Sequence, residues 1–336
     1  MKFTFGEFLR QQFTRLPEVS TFAVDLTGKV VIVTGANVGL GYETAKHLAR
    51  MNPAKLILAC RTAQTGEKAA AEISHDTGCS TVVCWQLDIS DPASVKAFAE
   101  RFEREGGGKL DILVENAGVN LFAFKLTASG WERTIATNHL GTAHLALRML
   151  PFLLKAETPR LVIVASDVHY WVSDPEEADT EGVLQRLNDE KQKGKFYALG
   201  SRYFVSKLFN VLFTRAFSAH LPLGTPLTVN AVNPGLCSSS LIRELNPFIR
   251  IPIVGVTSVL ARSTEVGSRN FVYAAVSREL DGKTGEFLQS CKVDEPSDFV
   301  ISERGASASK RLWADTLAIL TEFDDQIPAT VNAYLK

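Results

Sequence analysis

Cysteine is scarce in this chain of 336 residues. The five present (Cys60, Cys79, Cys84, Cys237 and Cys291) are odd in number and form no Cys-x-x-Cys pair. That excludes a disulfide scaffold and leaves a zinc ribbon without ligands, so a reducing, cytoplasmic setting and no metal site are expected. Charge of one sign is also missing. Lys and Arg total 36 against 37 Asp and Glu, a net charge of −1, so nothing draws the chain to nucleic acid. No apolar run approaches the roughly 18 residues that cross a membrane as a helix. Glu7 and Arg10 interrupt any signal-peptide core at the start. Glycine (23), proline (13) and a charged fraction of 22% are ordinary, which removes collagen-like, low-complexity and disordered readings. What is plentiful is hydrophobic sequence, 46% of the chain, enough for one large α/β domain or two small ones.

The first 26 residues stand apart as an N-terminal extension. Phe5, Phe8, Leu9, Phe13 and Leu16 recur at helical spacing, with Arg10, Gln11, Gln12 and Arg15 between them, predicting one apolar stripe on an amphipathic helix. Packing on the parent domain or a partner subunit is preferred over docking to a membrane, because Phe-rich stripes with few lysines bind bilayers poorly. From residue 27 to 336 short apolar runs alternate with helical patterns. Strands are predicted at Lys29–Val33, Leu56–Cys60, Thr81–Leu87, Leu110–Val114, Leu161–Ala165 and Leu227–Val232. Helices are predicted at Tyr42–Met51, Gly66–Ser74, Ala93–Arg104, His139–Leu154, Ser201–His220 and Ala308–Glu322. Continuous apolar strands between helices predict a single doubly wound α/β domain of Rossmann type, its parallel sheet covered by helices on both faces. Two insertions elaborate it, near residues 170–200 and 236–268.

The segment Thr34-Gly35-Ala36-Asn37-Val38-Gly39-Leu40-Gly41 follows a strand and opens a helix. Glycines there permit a tight turn and close backbone approach to a pyrophosphate, and the helix N-terminus offers free N–H groups to it. The spacing is Gly-x-x-x-Gly-x-Gly rather than Gly-x-Gly-x-x-Gly. At the end of the second strand an NAD site places an acid for the ribose 2′-hydroxyl. Here the chain reads Ala59-Cys60-Arg61-Thr62, and the planar fork of Arg61 suits a 2′-phosphate, favouring NADP(H). Asp88 has two readings, an acceptor for the adenine amino group or a helix cap, with Asp91 the better cap. Asn116-Ala117-Gly118 ends the fourth strand with small residues that let the chain pass close to a ribose.

Tyr203 and Lys207 stand four apart on one helix, so they share a face. An ammonium beside a phenol favours the phenolate and equips the pair to move a proton to or from an alcohol or carbonyl oxygen. Tyr197 has no lysine at that offset. Ser166 follows a strand at its carboxyl end, where ligands bind in open α/β sheets, and its hydroxyl suits a substrate oxygen. Asn138, in Asn-His-Leu-Gly, serves either to orient a water or backbone group or as an ordinary helix cap.

Taken in order, Thr34–Gly41, Asn116-Ala117-Gly118, Asn138, Ser166, Tyr203-x-x-x-Lys207 and Asn233-Pro234-Gly235 resemble the short-chain dehydrogenase/reductase family from about Thr27 to Thr321. Asn37, Ala59-Cys60-Arg61 and Arg311-Leu312-Trp313 are similar to its retinol-dehydrogenase-like branch and fungal relatives. The resemblance implies that Tyr203 is the general acid in reduction and the base in oxidation. It implies that Lys207 holds the nicotinamide ribose and lowers the Tyr203 pKa, that Ser166 binds the substrate oxygen, and that Asn138 holds a water in a relay to Lys207. Gly35, Asn37, Gly39, Leu40, Gly41, Arg61, Asp88, Asn116, Ala117 and Gly118 are expected along the cofactor, and Pro234 and Gly235 beside its nicotinamide. Ser239 stands where the family often has a threonine that touches the cofactor. Glu115 departs from the usual uncharged residue, and Ala165 from a frequent serine.

The acidic run Asp174–Glu181 reads as a solvated loop face. His169, Tyr170 and Trp171 suit the wall of a pocket, His169 more often as a packing residue than a catalyst. The apolar residues between Leu241 and Val254 suggest a lipophilic substrate, a hydrophobic cover or an oligomer contact. Together these features predict an NADPH-dependent carbonyl reductase, reversibly an alcohol dehydrogenase. Its substrate would be an apolar ketone or aldehyde such as a lipid, a retinoid-like aldehyde or a secondary-metabolite ketone. A cyclase or lyase on the same fold and a non-catalytic NADP-binding scaffold are the alternatives. The resemblance also implies a homo-oligomer through His139–Leu154 and Ser201–His220, whose apolar residues fit an interface or the domain's own core equally well.

Overall fold

The computed structural model describes residues 4–238 and 260–336. Ser239 and the apolar positions Leu241–Val254 lie outside the described residues.

The chain enters through helix α1 (Phe5–Phe13), capped by Thr4, whose hydroxyl accepts from the Glu7 N–H at 3.2 Å. Strand β1 (Val30–Thr34) follows, a β-branched run buried at every position, as a strand covered on both faces requires. Then come α2 (Gly39–Ala49), β2 (Lys55–Cys60), α3 (Ala63–Thr77), β3 (Val82–Gln86), α4 (Pro92–Glu105) and β4 (Ile112–Glu115). Asp91 caps α4, accepting from the Ala93 N–H at 3.0 Å, with Pro92 in the first turn. A widened π-helical turn, Ala136–Gly141, leads into α5 (Thr142–Leu153). After β5 (Arg160–Val164) and the insertion come α6 (Arg202–His220), β6 (Thr228–Asn233), α7 (Thr264–Val276), β7 (Phe287–Gln289), β8 (Lys292–Asp294) and α8 (Glu303–Phe323).

The sheet order is β3-β2-β1-β4-β5-β6-β7-β8, parallel except for the last pair. The chain winds outward from β1 to β3, returns to place β4 beside β1, and winds outward the other way. The carboxyl ends of β1 and β4 therefore flank a topological switch point, the place where open α/β sheets bind ligands. Helices α2, α3 and α7 pack one sheet face around Val31, Val33, Leu56 and Leu58. Helices α4 and α5 cover the other around Ile32, Ile57, Leu113 and Ile163. The doubly wound Rossmann architecture is thus present. Apolar residues of α5 such as Leu145, Leu147, Met149 and Leu150 are fully buried within this one chain. Among the described residues no helix is long and apolar enough to cross a membrane.

Three expectations need correction. The helix predicted at His139–Leu154 begins at Thr142, and Asn138 sits inside the π-turn rather than at a helix start. The N-terminal stripe is rotated from the predicted one. Phe8 and Leu16 are buried, but Phe5 and Phe13 are 68% and 66% exposed, and Gln11 and Gln12 turn inward instead, Gln12 held by distant backbone and Gln11 by the Ser290 hydroxyl. The acidic insertion is not merely a solvated face. Ala178, Val183, Leu184, Leu187, Phe196 and Tyr197 bury themselves against α6 and α8. Its carboxylates are tied down as well: Asp179 accepts from Ser307 at 2.7 Å and from Arg311 at 3.0 Å, and Glu177 accepts from Tyr197 at 3.1 Å.

Candidate active site

The glycine turn connects β1 to α2. Gly35 and Gly39 take φ of +63° and +64°, a region costly for residues with a Cβ. A Cβ on Gly41 would overlap the Asn116 side chain and the Gly35 carbonyl, so only glycine lets α2 start this close. The N-cap residue Val38 supplies no side-chain hydrogen bond, which leaves the first N–H groups of α2 for an anion. Asn116 braces the turn from β4, donating to Thr34 O at 2.8 Å and Gly35 O at 3.2 Å, while the Ala117 N–H donates to the Thr34 hydroxyl at 2.9 Å. Leu40 is half-buried against the core.

Arg61 lies exposed at the end of β2, and the N-terminus of α3 just beyond it has no side-chain cap. Asn37 reaches across from the glycine turn to donate to Thr65 at 3.3 Å. Arg61 and the uncapped start of α3 thus lie beside the turn. Asp88 accepts from Ser90, from N–H at 3.0 Å and hydroxyl at 2.7 Å, and does not cap α4. Glu115 is buried, and among the described residues neither carboxyl oxygen has a hydrogen-bond partner. Burial holds its pKa well above the usual carboxylate range, which favours the uncharged form.

Ser166, Tyr203 and Lys207 meet at the carboxyl end of β5. Helix α6 presents Tyr203, Ser206, Lys207 and Asn210 to the sheet as one polar stripe on a helix otherwise buried by apolar residues. The Lys207 ammonium, 4% exposed, donates to Val164 O at 2.7 Å and lies 5.8 Å from the Tyr203 ring centre. Asn210 donates to the same carbonyl at 3.0 Å. Among the described residues Lys207 makes no second hydrogen bond, so two of its donors stay unspent. Burial pulls its pKa down to about 7. Burial, and after it the Asp167 carboxylate, raise the Tyr203 phenol above its ordinary value, against a smaller opposing effect of hydrogen bonding to Ser166. Desolvation is the largest influence on the Tyr203 phenol. The Ser166 hydroxyl donates to Asp167 Oδ1 at 3.0 Å.

The Asn138 side chain clamps Val119, accepting from its N–H at 2.8 Å and donating to its carbonyl at 2.8 Å, and it also donates to Ser206 at 3.0 Å. It braces the Gly118–Val119 backbone against α6. Gly118 passes bare beside Lys207: a Cβ there would lie 3.3 Å from Asn138 Oδ1 and 3.8 Å from Lys207 Nζ. His169 is structural. Its Nδ1 faces Ser166 O at 2.7 Å and its Nε2 accepts from the Ser297 N–H at 3.2 Å, which fixes a neutral tautomer. Burial lowers its pKa to about 4. Pro234 and Gly235 follow β6, where Asn233 accepts from the Gly235 N–H at 3.0 Å.

Sequence reasoning passed over Gln12, Asp167, Ser206, Asn210 and Arg262. The first two adjoin recognised features, and the polar 203–206–207–210 spacing in an apolar helix was a signal for the next two. Arg262 carried none.

An arrangement of open helix N–H groups, a bare glycine and a buried cation with spare donors suits a dinucleotide. Comparison with known proteins agrees. The short chain dehydrogenase family model matches residues 29–170. The chain is 38% identical to bovine retinol dehydrogenase 12 over 291 residues, covering 86% of this chain and 85% of the relative. It is 35% identical to the short-chain dehydrogenase anuD of Penicillium roqueforti, covering 94% and 83%. A crystal structure of an uncharacterised protein from Mycobacterium paratuberculosis superposes with a TM-score of 0.66 at 27% identity, covering 91% of this chain and 98% of that one. The chain belongs to the short-chain dehydrogenase/reductase family and is an oxidoreductase of its retinol-dehydrogenase-like and fungal branch.

Proposed function

We propose that this chain is an NADP(H)-dependent carbonyl reductase, reversibly an alcohol dehydrogenase, acting in the cytoplasm on a ketone or aldehyde with an apolar body. The observation that carries the reading is the convergence of Ser166, Tyr203 and Lys207 behind the glycine turn, with the Lys207 ammonium buried and two of its donors unspent among the described residues. Arg61 and the uncapped start of α3 favour a 2′-phosphate. The apolar substrate rests on similarity to a retinol dehydrogenase.

The residues present fit the cofactor. The first N–H groups of α2 would take the pyrophosphate, Gly118 would let a ribose approach, and Lys207 would donate to its hydroxyls. When bound, the nicotinamide supplies hydride to the substrate carbon in reduction and accepts it in oxidation. Tyr203 gives its phenolic proton to the carbonyl oxygen, and its raised pKa keeps that proton in place at neutral pH. Ser166 turns its O–H from Asp167 to the same oxygen and holds developing charge. Lys207, once its spare donors are bound by ribose oxygens, stays charged and offsets the negative charge that Tyr203 acquires.

Replacing Tyr203 by Phe tests this. Turnover falls by roughly 10²–10⁴-fold, while NADPH titration by fluorescence stays within about twofold of wild type, a fraction of a kcal/mol. Unchanged turnover would sink the assignment. Product formation without NADPH oxidation would point to a cyclase or lyase instead, and unaltered cellular function of the variant to a scaffold.

A further inference from the structure

Helix α1 has no place in the mechanism above, yet its buried face is polar and reaches the substrate side of the site. Gln12 accepts from the Leu236 N–H at 3.0 Å and donates to Leu236 O and Leu260 O, both at 2.8 Å. It therefore splints the backbone just after Pro234-Gly235 and touches the far flank of the same connection. Arg262 returns the attachment. Its guanidinium donates to Gln11 O, to Gln12 O at 3.2 Å and to Thr14 O at 3.1 Å, capping the carbonyl end of α1, where a cation is favoured.

Gln11 starts a second chain of hydrogen bonds. It donates to Asp294 at 3.0 Å and accepts from Ser290 at 2.9 Å. Asp294 also accepts from Gln289 at 2.9 Å, Gln289 accepts from Asn233 at 3.1 Å, and Asn233 accepts from the Gly235 N–H at 3.0 Å. This chain ends on the turn expected beside the nicotinamide. On the remaining side, the Phe8 ring lies 5.6 Å from that of Trp171, in the turn that begins at Ser166.

Between these contacts is a small surface cleft, lined by Phe8, Gln11, Asp167, Arg262, Gln289 and Ser290 among others. Asp167 is the residue that accepts the Ser166 hydroxyl, so the cleft opens beside the group that would hold the carbonyl oxygen. One face is aromatic. The rest is polar, and the Gln11 amide keeps one N–H and one lone pair beyond the bonds it makes.

We propose that α1 is a wall of the substrate site. Phe8 packs on the substrate body and Gln11 selects a ketone bearing a second hydroxyl or carbonyl oxygen over a plain hydrocarbon ketone, while Gln12 is a positioning residue for the turn at Gly235. The inference rests on the carbonyl-reductase reading. It also accounts for the rotation of the N-terminal stripe, since glutamines face inward where a packing helix would place phenylalanines.

The test uses the full chain, with 1-tetralone and 5-hydroxy-1-tetralone as probes. NADPH affinity, kcat and KM for each ketone are measured in wild type, Gln11→Leu, Phe8→Ala and the exposed control Phe13→Ala. Amide hydrogen exchange over residues 8–14 is followed in wild type with NADP⁺, before and after 5-hydroxy-1-tetralone is added. The expected result is a wild-type preference for the hydroxyketone that drops about tenfold in Gln11→Leu, through KM, as loss of a polar contact to substrate predicts. Phe8→Ala weakens both ketones, Phe13→Ala neither, NADPH affinity holds throughout, and exchange slows when the hydroxyketone binds. Wild type that binds NADPH but shows neither preference nor slowed exchange overturns the assignment alone. Wild type that binds no dinucleotide overturns the reductase reading and the assignment together.

Discussion

The two halves of the site are built differently. The cofactor half, from β1 to β4, is made of backbone: positive-φ glycines, open helix N–H groups and a short brace from Asn116. Its parts lie within about 90 residues of one another in the chain. The substrate half is made of side chains brought together from far apart. Gln12 meets Leu236 and Leu260, Arg262 meets Gln11 and Thr14, and His169 meets Ser297. A backbone cradle tolerates many side chains but no extra Cβ at a few points. A side-chain network tolerates backbone variety but depends on individual hydrogen bonds. Within a fold that hosts many chemistries, the first construction suits a constant cofactor and the second a variable substrate.

That contrast is open to attack, first at Gly41. Replacement by Ala puts a methyl group into Asn116 and the Gly35 carbonyl. The overpacking costs about 1–3 kcal/mol of stability, and dinucleotide affinity drops by two orders of magnitude or so, about 2.7 kcal/mol. Thermal unfolding and NADPH titration read both effects, and a variant that binds normally would show the cradle is looser than its geometry. Arg61→Ala comes next. Losing a charge-assisted contact of about 1.5 kcal/mol weakens NADPH about tenfold and leaves NADH unchanged. Equal weakening of both dinucleotides would remove the 2′-phosphate role.

Buried histidines give the acid response. Burial lowers His139 to about 3 and His169 to about 4 from 6.5. Below pH 6.5 the unfolded chain takes up protons that these residues refuse when folded, so stability declines as pH falls from 6.5 towards 4. Denaturant midpoints between pH 7 and 4.5 measure the slope, and His139→Gln makes it shallower. An unchanged slope would mean that other groups drive the acid response. The smallest effect belongs to Phe5→Ala and Phe13→Ala. Both residues are exposed, so each substitution shifts stability by less than about 0.5 kcal/mol. A larger loss would restore the apolar stripe that the sequence suggests.

Legibility followed the same division. The glycine turn, the Asn116–Gly118 tripeptide, Ser166 and the Tyr203–Lys207 spacing were readable because each is local and has a fixed offset from a strand or helix end. The ionisation at Tyr203 was not. The spacing points to the neighbouring lysine, whereas in the folded chain burial and then Asp167 set the direction of the shift. Glu115 departs from the usual uncharged residue by its identity, and burial pushes its pKa up towards the neutral form.

The doubly wound fold is written into the chain as mostly apolar strands with helices between them, and the cofactor cradle as glycines and helix starts that act through the backbone next to them. Only the tertiary structure decided which face of α1 turns inward, that Asn138 clamps Val119, and that Arg262 caps a helix some 250 residues upstream. Such contacts depend on chain folding that brings distant segments within about 3 Å, and no local pattern of residues records them.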